Sequence, residues 1–251
     1  MKDLASIYPE ANTPTESSSK WHMPRLPQIG IPRFGLHTPG SAERSAVETY
    51  IHDRFANVHH AEVSHFLPNI ISLSCGGEYS AAVGLAPASN GQLFAEQYLD
   101  QPVEQVISQK LGVNIARDQI VEIGNLVSTW KGGSLLLFIV IGEVMKRLGY
   151  HYVMFTGTRE VKALLARLRY SPVVLADANP AVLPDGGASW GTYYSNQPQV
   201  MFGDNRPAME AACKNPMYRA TVATISRAIE NICDEFQAAN ISRAIRSTNH
   251  E

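Results

Sequence analysis

A carboxylate set in an otherwise apolar strand is the first chemical signal in the chain. Glu122 interrupts Ile120-Val121-Glu122-Ile123-Gly124-Asn125-Leu126-Val127, a run that reads as a buried strand broken by polar residues. A carboxylate there is expected to face a cleft, where partial loss of water raises its pKa and fits it to accept a proton, directly or through water. The competing reading makes Glu122 an ion-pair partner of Arg117 or another base. Gly124, inside the same strand, marks a bulge or the close approach of a ligand, with tight sheet packing as the plainer alternative. Asn125 beside it offers an amide for hydrogen bonding. Downstream, Trp130-Lys131-Gly132-Gly133-Ser134 is a glycine turn leading into a helical segment. Free backbone N–H groups and the positive end of a helix dipole suit a phosphate there, so Lys131, Gly132, Gly133 and Ser134 form a candidate phosphate seat.

Other chemistries lack their motifs. His59, His60 and His65 match neither the HExxH pair nor a zinc knuckle, so they read as loop residues and no metal is expected. No GxSxG elbow, GxxxxGK[ST] loop or GxGxxG turn is present. Cys75, Cys213 and Cys233 have no CxxC spacing, which argues against a disulfide framework or a structural zinc.

These residues need elements to position them. Ile120–Val127, the glycine turn, a helix over Leu135–Leu148 closed by Gly149, and a strand over Tyr152–Phe155 make a βαβ unit in a largely parallel region. Before it, Ser41 caps a helix over Ala42–Phe55. Asn69–Cys75 and Ser80–Ala86 form a hairpin around Gly76-Gly77, and Leu93–Leu99 reads as a further strand. Asp100 or Gln101 caps a helix that starts at Pro102 and ends at Gly112. After the unit, Thr158 caps an amphipathic helix carrying Val161, Leu164, Leu165 and Leu168, and a strand begins at Val173. Trp190–Tyr194 and Gln199–Phe202 read as closing strands. From Met217 to about Ala239 one helix carries Tyr218, Val222, Ile225, Ile229, Ile232 and Phe236 on one stripe, expected to dock on the domain or on a second subunit as a homodimer contact.

At 251 residues one sizeable core is possible. Residues 1–40 are rich in proline and serine and read as a flexible arm, residues 41–206 as the folded domain, and 207–251 as a C-terminal helical extension. Lys plus Arg (21) nearly balances Asp plus Glu (23), which excludes a broad basic face for nucleic acid. The N-terminus has no secretory pattern, and the longest apolar run, Leu135–Ile141, is seven residues, far below the ~20 of a membrane helix. A soluble, cytoplasmic protein with little membrane contact is expected.

The strings VEIGNLVS…GG…LGYHYVMFTGT and Leu93-Phe94-Ala95-Glu96-Gln97-Tyr98-Leu99-Asp100 resemble the thermostable hemolysin family. That family is similar in turn to the N-acetyltransferase (GNAT) superfamily and to acyl-homoserine-lactone synthases. The matching motifs run from about Arg44 to Gly203. The resemblance implies an α/β fold with a GNAT-like mixed sheet flanked by helices, a flexible N-terminal arm and a long C-terminal helix. It implies an N-acyltransferase moving an acyl group from a thioester, on acyl-carrier protein or CoA, to a small amine. Glu122 matches the strand glutamate of the lactone synthases. Those enzymes follow it with Ser-Arg where this chain has Gly124-Asn125, so the arginine that helps fix their substrate is missing and the acceptor stays open. Under the resemblance Glu96 lies beside the acceptor cleft and binds a charged amine, with a structural carboxylate as the alternative. Asn125 would meet the pantetheine or the acceptor, and Arg44, Gly124 and Thr156 fall on the substrate side. Lys131–Ser134 would seat the pyrophosphate or phosphopantetheine, and the shortness of that turn favours a carrier protein. A membrane-active cytolysin and a non-catalytic GNAT-like binding domain are the alternatives.

Overall fold

The computed structural model describes residues 32–129, 133–167 and 170–248. Most of the proline-rich arm, Lys131 and Gly132 of the glycine turn, and Leu168 lie outside them, as does the side chain of Ser134.

A seven-stranded mixed sheet carries the fold. Its strands are β1 (Arg33–His37), β2 (Asn69–Cys75), β3 (Glu78–Pro87), β4 (Ile120–Ser128), β5 (Tyr152–Gly157), β6 (Val173–Asp177) and β7 (Gln199–Asp204), in the order β1-β2-β3-β4-β5-β7-β6. The expected hairpin is β2–β3 and the expected βαβ unit is β4, α3 (Gly133–Leu148) and β5. Gly149, at φ 79°, closes α3 in the left-handed region that glycine tolerates. The region is not largely parallel, however. The β4–β5 pair, joined through α3, is parallel, and every other ladder is antiparallel, including β1–β2 and β3–β4, whose connections also contain helices.

Four further expectations need correction. The arm does not run to residue 40: Phe34 and Leu36 give β1 an apolar face, and the strand pairs with β2 from His37↔Ile70 to Arg33↔Ser74. Helix α1 is Arg44–His59 and Ser41 does not cap it, since its hydroxyl donates to the Thr38 carbonyl. The Leu93–Leu99 segment is a 3-10 turn over Phe94–Tyr98. Trp190–Tyr194 is likewise two short 3-10 turns, Ala188–Trp190 and Tyr193–Asn196. Gly191 sits between them at φ 53°, so close to α1 that a Cβ would lie 2.1 Å from the His59 carbonyl oxygen. Only glycine can make that approach.

Alternation along β4 sends Val121 and Ile123 to one face of the sheet and Ile120 and Glu122 to the other. The first face is covered by α3 and by α6 (Pro216–Thr248). The second is covered by α1, through Val47, Ile51 and Phe55, and by α2 (Val103–Leu111), through Val103 and Ile107. The C-terminal stripe is therefore spent within the chain. Ile229, Ile232 and Phe236 are buried against β-strands and α3, while Tyr218 packs on α5 (Asn205–Cys213). Val222 and Ile225 of the same stripe are partly buried against these clusters. Ile229→Val is expected to cost about 1 kcal/mol, read as a lower urea midpoint at unchanged slope. A loosely attached extension would show no shift.

Candidate active site

Two facing glycines set the site. Gly84 of β3 pairs with Gly124 of β4, and the next pair along is Ala82↔Val127, so two residues of β4 oppose one of β3. That count is a β-bulge. A Cβ on Gly84 would lie 2.8 Å from Leu67 Cβ and 2.9 Å from Asn125 Oδ1, and one on Gly124 would lie 3.0 Å from Leu67 Cδ1. The missing side chains let the segment around Leu67 lie against the sheet. Gly124 marks the bulge, but the residue that turns the chain is Asn125, at φ 51°, a conformation asparagine tolerates better than most. Its side chain clamps the same segment: Oδ1 accepts from Leu67 N at 2.9 Å and Nδ2 donates to the His65 carbonyl at 3.1 Å. Gly84→Ala is expected to cost about 2 kcal/mol, because the nearest obstacle is the stiff Cβ of Leu67 rather than a flexible tip. Chemical denaturation would check it.

The bulge parts β4 from β5. Their pairing ends at Ile123↔Phe155, although β4 runs on to Ser128 and β5 to Gly157. A cavity of about 240 Å³ opens at the gap. It is lined mainly by apolar side chains and reaches from the aromatic residues around Trp190 to Phe138, Met145 and Leu165 beyond the sheet.

Glu122 lines this cavity and is 3% exposed. Its oxygens accept from Phe94 N at 2.8 Å and Ala95 N at 3.0 Å. Burial pushes its carboxyl up to about 7, against the two amide hydrogen bonds that favour the charged form. It does not pair with Arg117. Thr156, at the free end of β5, also lines the cavity. Its hydroxyl, with those of Thr158 and Tyr170, is buried without a hydrogen-bond partner among the described residues. Thr158 therefore precedes α4 (Arg159–Arg167) without capping it through its side chain.

Glu96 and Arg44 lie elsewhere. Arg117 grips Glu96 through two contacts, Nη2–Oε2 at 2.6 Å and Nη1–Oε1 at 2.7 Å, while Leu93 N and Val103 N donate to the same carboxylate. Burial raises the Glu96 pKa, but the guanidinium and the two amides outweigh it and hold the group below the ordinary glutamate value. With its oxygens so occupied and outside the cavity lining, Glu96 anchors the 93–98 turn whose amides hold Glu122. Arg44 spends its guanidinium on Glu48 and on the carbonyls of His37, Leu67 and Pro68. It fastens α1 to the segment that Asn125 clamps and does not reach the cavity. The side-chain amide of Asn125 is committed to that clamp. Of the phosphate seat, Gly133 is described, as the first residue of α3.

Sequence reasoning missed the aromatic wall. Phe55, Phe94, Tyr98, Trp190, Tyr193 and Tyr194 all line the cavity, and the hydroxyls of Tyr98 and Tyr194 hydrogen-bond. The glycines at 186, 187 and 191 were the signal that this stretch turns rather than extends.

A seven-stranded mixed sheet, bulged between β3 and β4 and parted between β4 and β5, frames the site. A model of the thermostable hemolysin family matches residues 37–209, more than half of the chain, and the chain belongs to that family. No curated protein sequence matches it. Similar solved structures include the CoA-dependent acyl-homoserine lactone synthase BjaI with SAM and isopentyl-CoA, at TM-score 0.47 and 11% identity over 80% of this chain and 99% of that one. FeeM, an N-acyl amino acid synthase from uncultured soil microbes, has TM-score 0.47 and 11% identity over 77% of this chain and 97% of that one. The synthase LasI has TM-score 0.46 and 10% identity over 70% and 89%. Among the described residues no helix is long and apolar enough to cross a membrane, and none of their His, Cys, Asp and Glu side chains form a metal-binding group.

Proposed function

We propose that this protein is an N-acyltransferase that moves an acyl group from a thioester to a small amine. The observation that carries the proposal is the broken β4–β5 pairing, with its apolar cavity and Glu122, the one carboxylate among the described lining residues. Beyond Ile123 the β4 backbone has no β5 partner, so an extended chain of amides such as pantetheine can pair there as an added strand. The acyl chain then enters the apolar cavity beyond the sheet. In this reading, backbone N–H groups at the bulge stabilise the thioester oxygen as it gains charge. The amine nitrogen attacks the carbonyl carbon, the C–N bond forms and the C–S bond breaks. Glu122 takes the proton leaving nitrogen and passes it to the departing sulfur, which leaves as a thiol while the carboxylate is restored. A carboxyl whose pKa lies near 7 is suited to that exchange.

The donor is CoA or the phosphopantetheine of acyl-carrier protein. The short turn at Gly132-Gly133 favours the carrier. A long-chain N-acyl amine is a surfactant, which gives this chemistry a route to the phenotype in the family's description without the protein itself entering a membrane. Incubation of the pure protein with acyl-CoA or acyl-carrier thioester and a panel of amines tests the proposal. Amine-dependent thiol release, with an N-acyl product by mass spectrometry, is expected. Thiol release no faster with amine than without it would overturn the proposal.

A further inference from the structure

The wall of the cavity on the Glu122 face is built almost wholly of rings. Phe55 comes from the last turns of α1, Phe94 and Tyr98 from the 94–98 turn, and Trp190, Tyr193 and Tyr194 from the loop fastened to α1 at Gly191. The centroids lie 5.9 Å apart for Phe94–Trp190, 5.5 Å for Trp190–Tyr193 and 5.3 Å for Tyr193–Tyr194. Apart from Phe55, which is buried, these rings are half-buried, so part of each is left for a ligand. Glu122 is the single acidic side chain among the described lining residues, and no lysine or arginine is among them. His59 and His65 complete the rim, and burial lowers both imidazoles toward the neutral form.

Ring faces attract a cation, and a carboxylate at the same cavity adds to that attraction. A second carboxylate, brought by the acceptor itself, would lose its water against rings and find no cationic side chain among the described lining residues to replace it. We infer that the acceptor is an amine with an aromatic or apolar body and no carboxylate, an arylalkylamine in class, held by the Trp190–Tyr193 face with its nitrogen toward Glu122. This rests on the transferase reading and narrows it: free amino acids are poor acceptors.

Calorimetric titration of phenethylamine and of phenylalanine into the full chain separates the two classes. Phenethylamine is expected to bind at least roughly tenfold more tightly, since the only change is an unpaired carboxylate. Trp190→Leu is expected to weaken phenethylamine by roughly tenfold, and Trp190→Phe to recover most of the loss by keeping a ring. The melting temperature of each variant shows whether the fold persists. Equal or tighter binding of phenylalanine, no detectable binding of phenethylamine, or unchanged binding in a folded Trp190→Leu would each overturn the inference. Acyl transfer to phenylalanine in preference to phenethylamine would sink it while leaving the transferase reading intact. Selective binding of phenethylamine without transfer would leave the aromatic seat standing and remove the transferase reading.

Discussion

Glu122→Gln is expected to lower turnover by roughly 10²–10⁴-fold, the range of a lost general base, and to abolish the acidic limb of the pH–rate profile. In the wild type that limb is expected near pH 7, because burial pushes the Glu122 carboxyl up to about 7 and only its ionised form accepts a proton. The same shift has a stability consequence of opposite sense. The folded protein holds this proton more tightly than the unfolded chain does, so wild-type stability falls as pH rises from about 4.5 to about 7 and then levels. The loss is about 3 kcal/mol for a shift of this size. The glutamine variant has no such slope. Its amide oxygen can accept from Phe94 N or Ala95 N but not from both, so some loosening of the 93–98 turn accompanies the change. Measuring rate and melting temperature across pH on one preparation separates the roles. Near-normal turnover with an unaltered limb, alongside a changed melting profile, would remove Glu122 from catalysis.

The carboxylate was legible in the sequence because an acid inside an apolar strand has few inexpensive places to go. The β4–α3–β5 unit was legible for a similar reason: strand period, glycine turn and helix period follow one another without a break. The bulge was half legible. Gly124 announced a close approach, but that approach is to Leu67, which depends on Gly84 in another strand, and Asn125 supplies the positive φ. Other features needed tertiary contacts. Leu93–Leu99 has strand-like residues, yet Glu96 folds back to accept from Leu93 N and Val103 N, and this fixes a 3-10 turn. Aromatic residues favour strands, so Trp190–Tyr194 read as one until Gly191 was found seated on the end of α1. Strand β1 was hidden by its proline-rich neighbours. Arg44 and Glu96 are chemically able side chains whose bonding capacity is consumed by partners far away in sequence, such as Leu67 and Arg117.

Arg117→Met is expected to cost about 3–5 kcal/mol, the range for breaking a buried pair by removing one partner. Glu96 would be left at 7% exposure with two amides but no guanidinium, and the carbonyls of Ala88 and Gly91 would lose a donor as well. The sign of the pH dependence follows from Glu96. Its folded pKa is depressed, so its stabilising contribution is present above the unfolded value near 4.5 and is lost as pH falls through the depressed folded value. Without Arg117 only the two amides oppose burial, so the folded pKa rises, and the gap between wild type and variant should be widest at neutral pH and shrink toward acid. Urea denaturation at several pH values reads this directly. A cost below about 1 kcal/mol, as for an exposed pair, or a gap that does not change with pH, would show that Glu96 is not held as described. The substitution should also be felt in the cavity. Glu96 anchors the turn whose Phe94 and Ala95 amides stabilise the ionised form of Glu122, and a slackened turn withdraws those hydrogen bonds. The acidic limb of the rate should then move above pH 7 in the folded variant, a displacement that a purely global loss of stability would not produce.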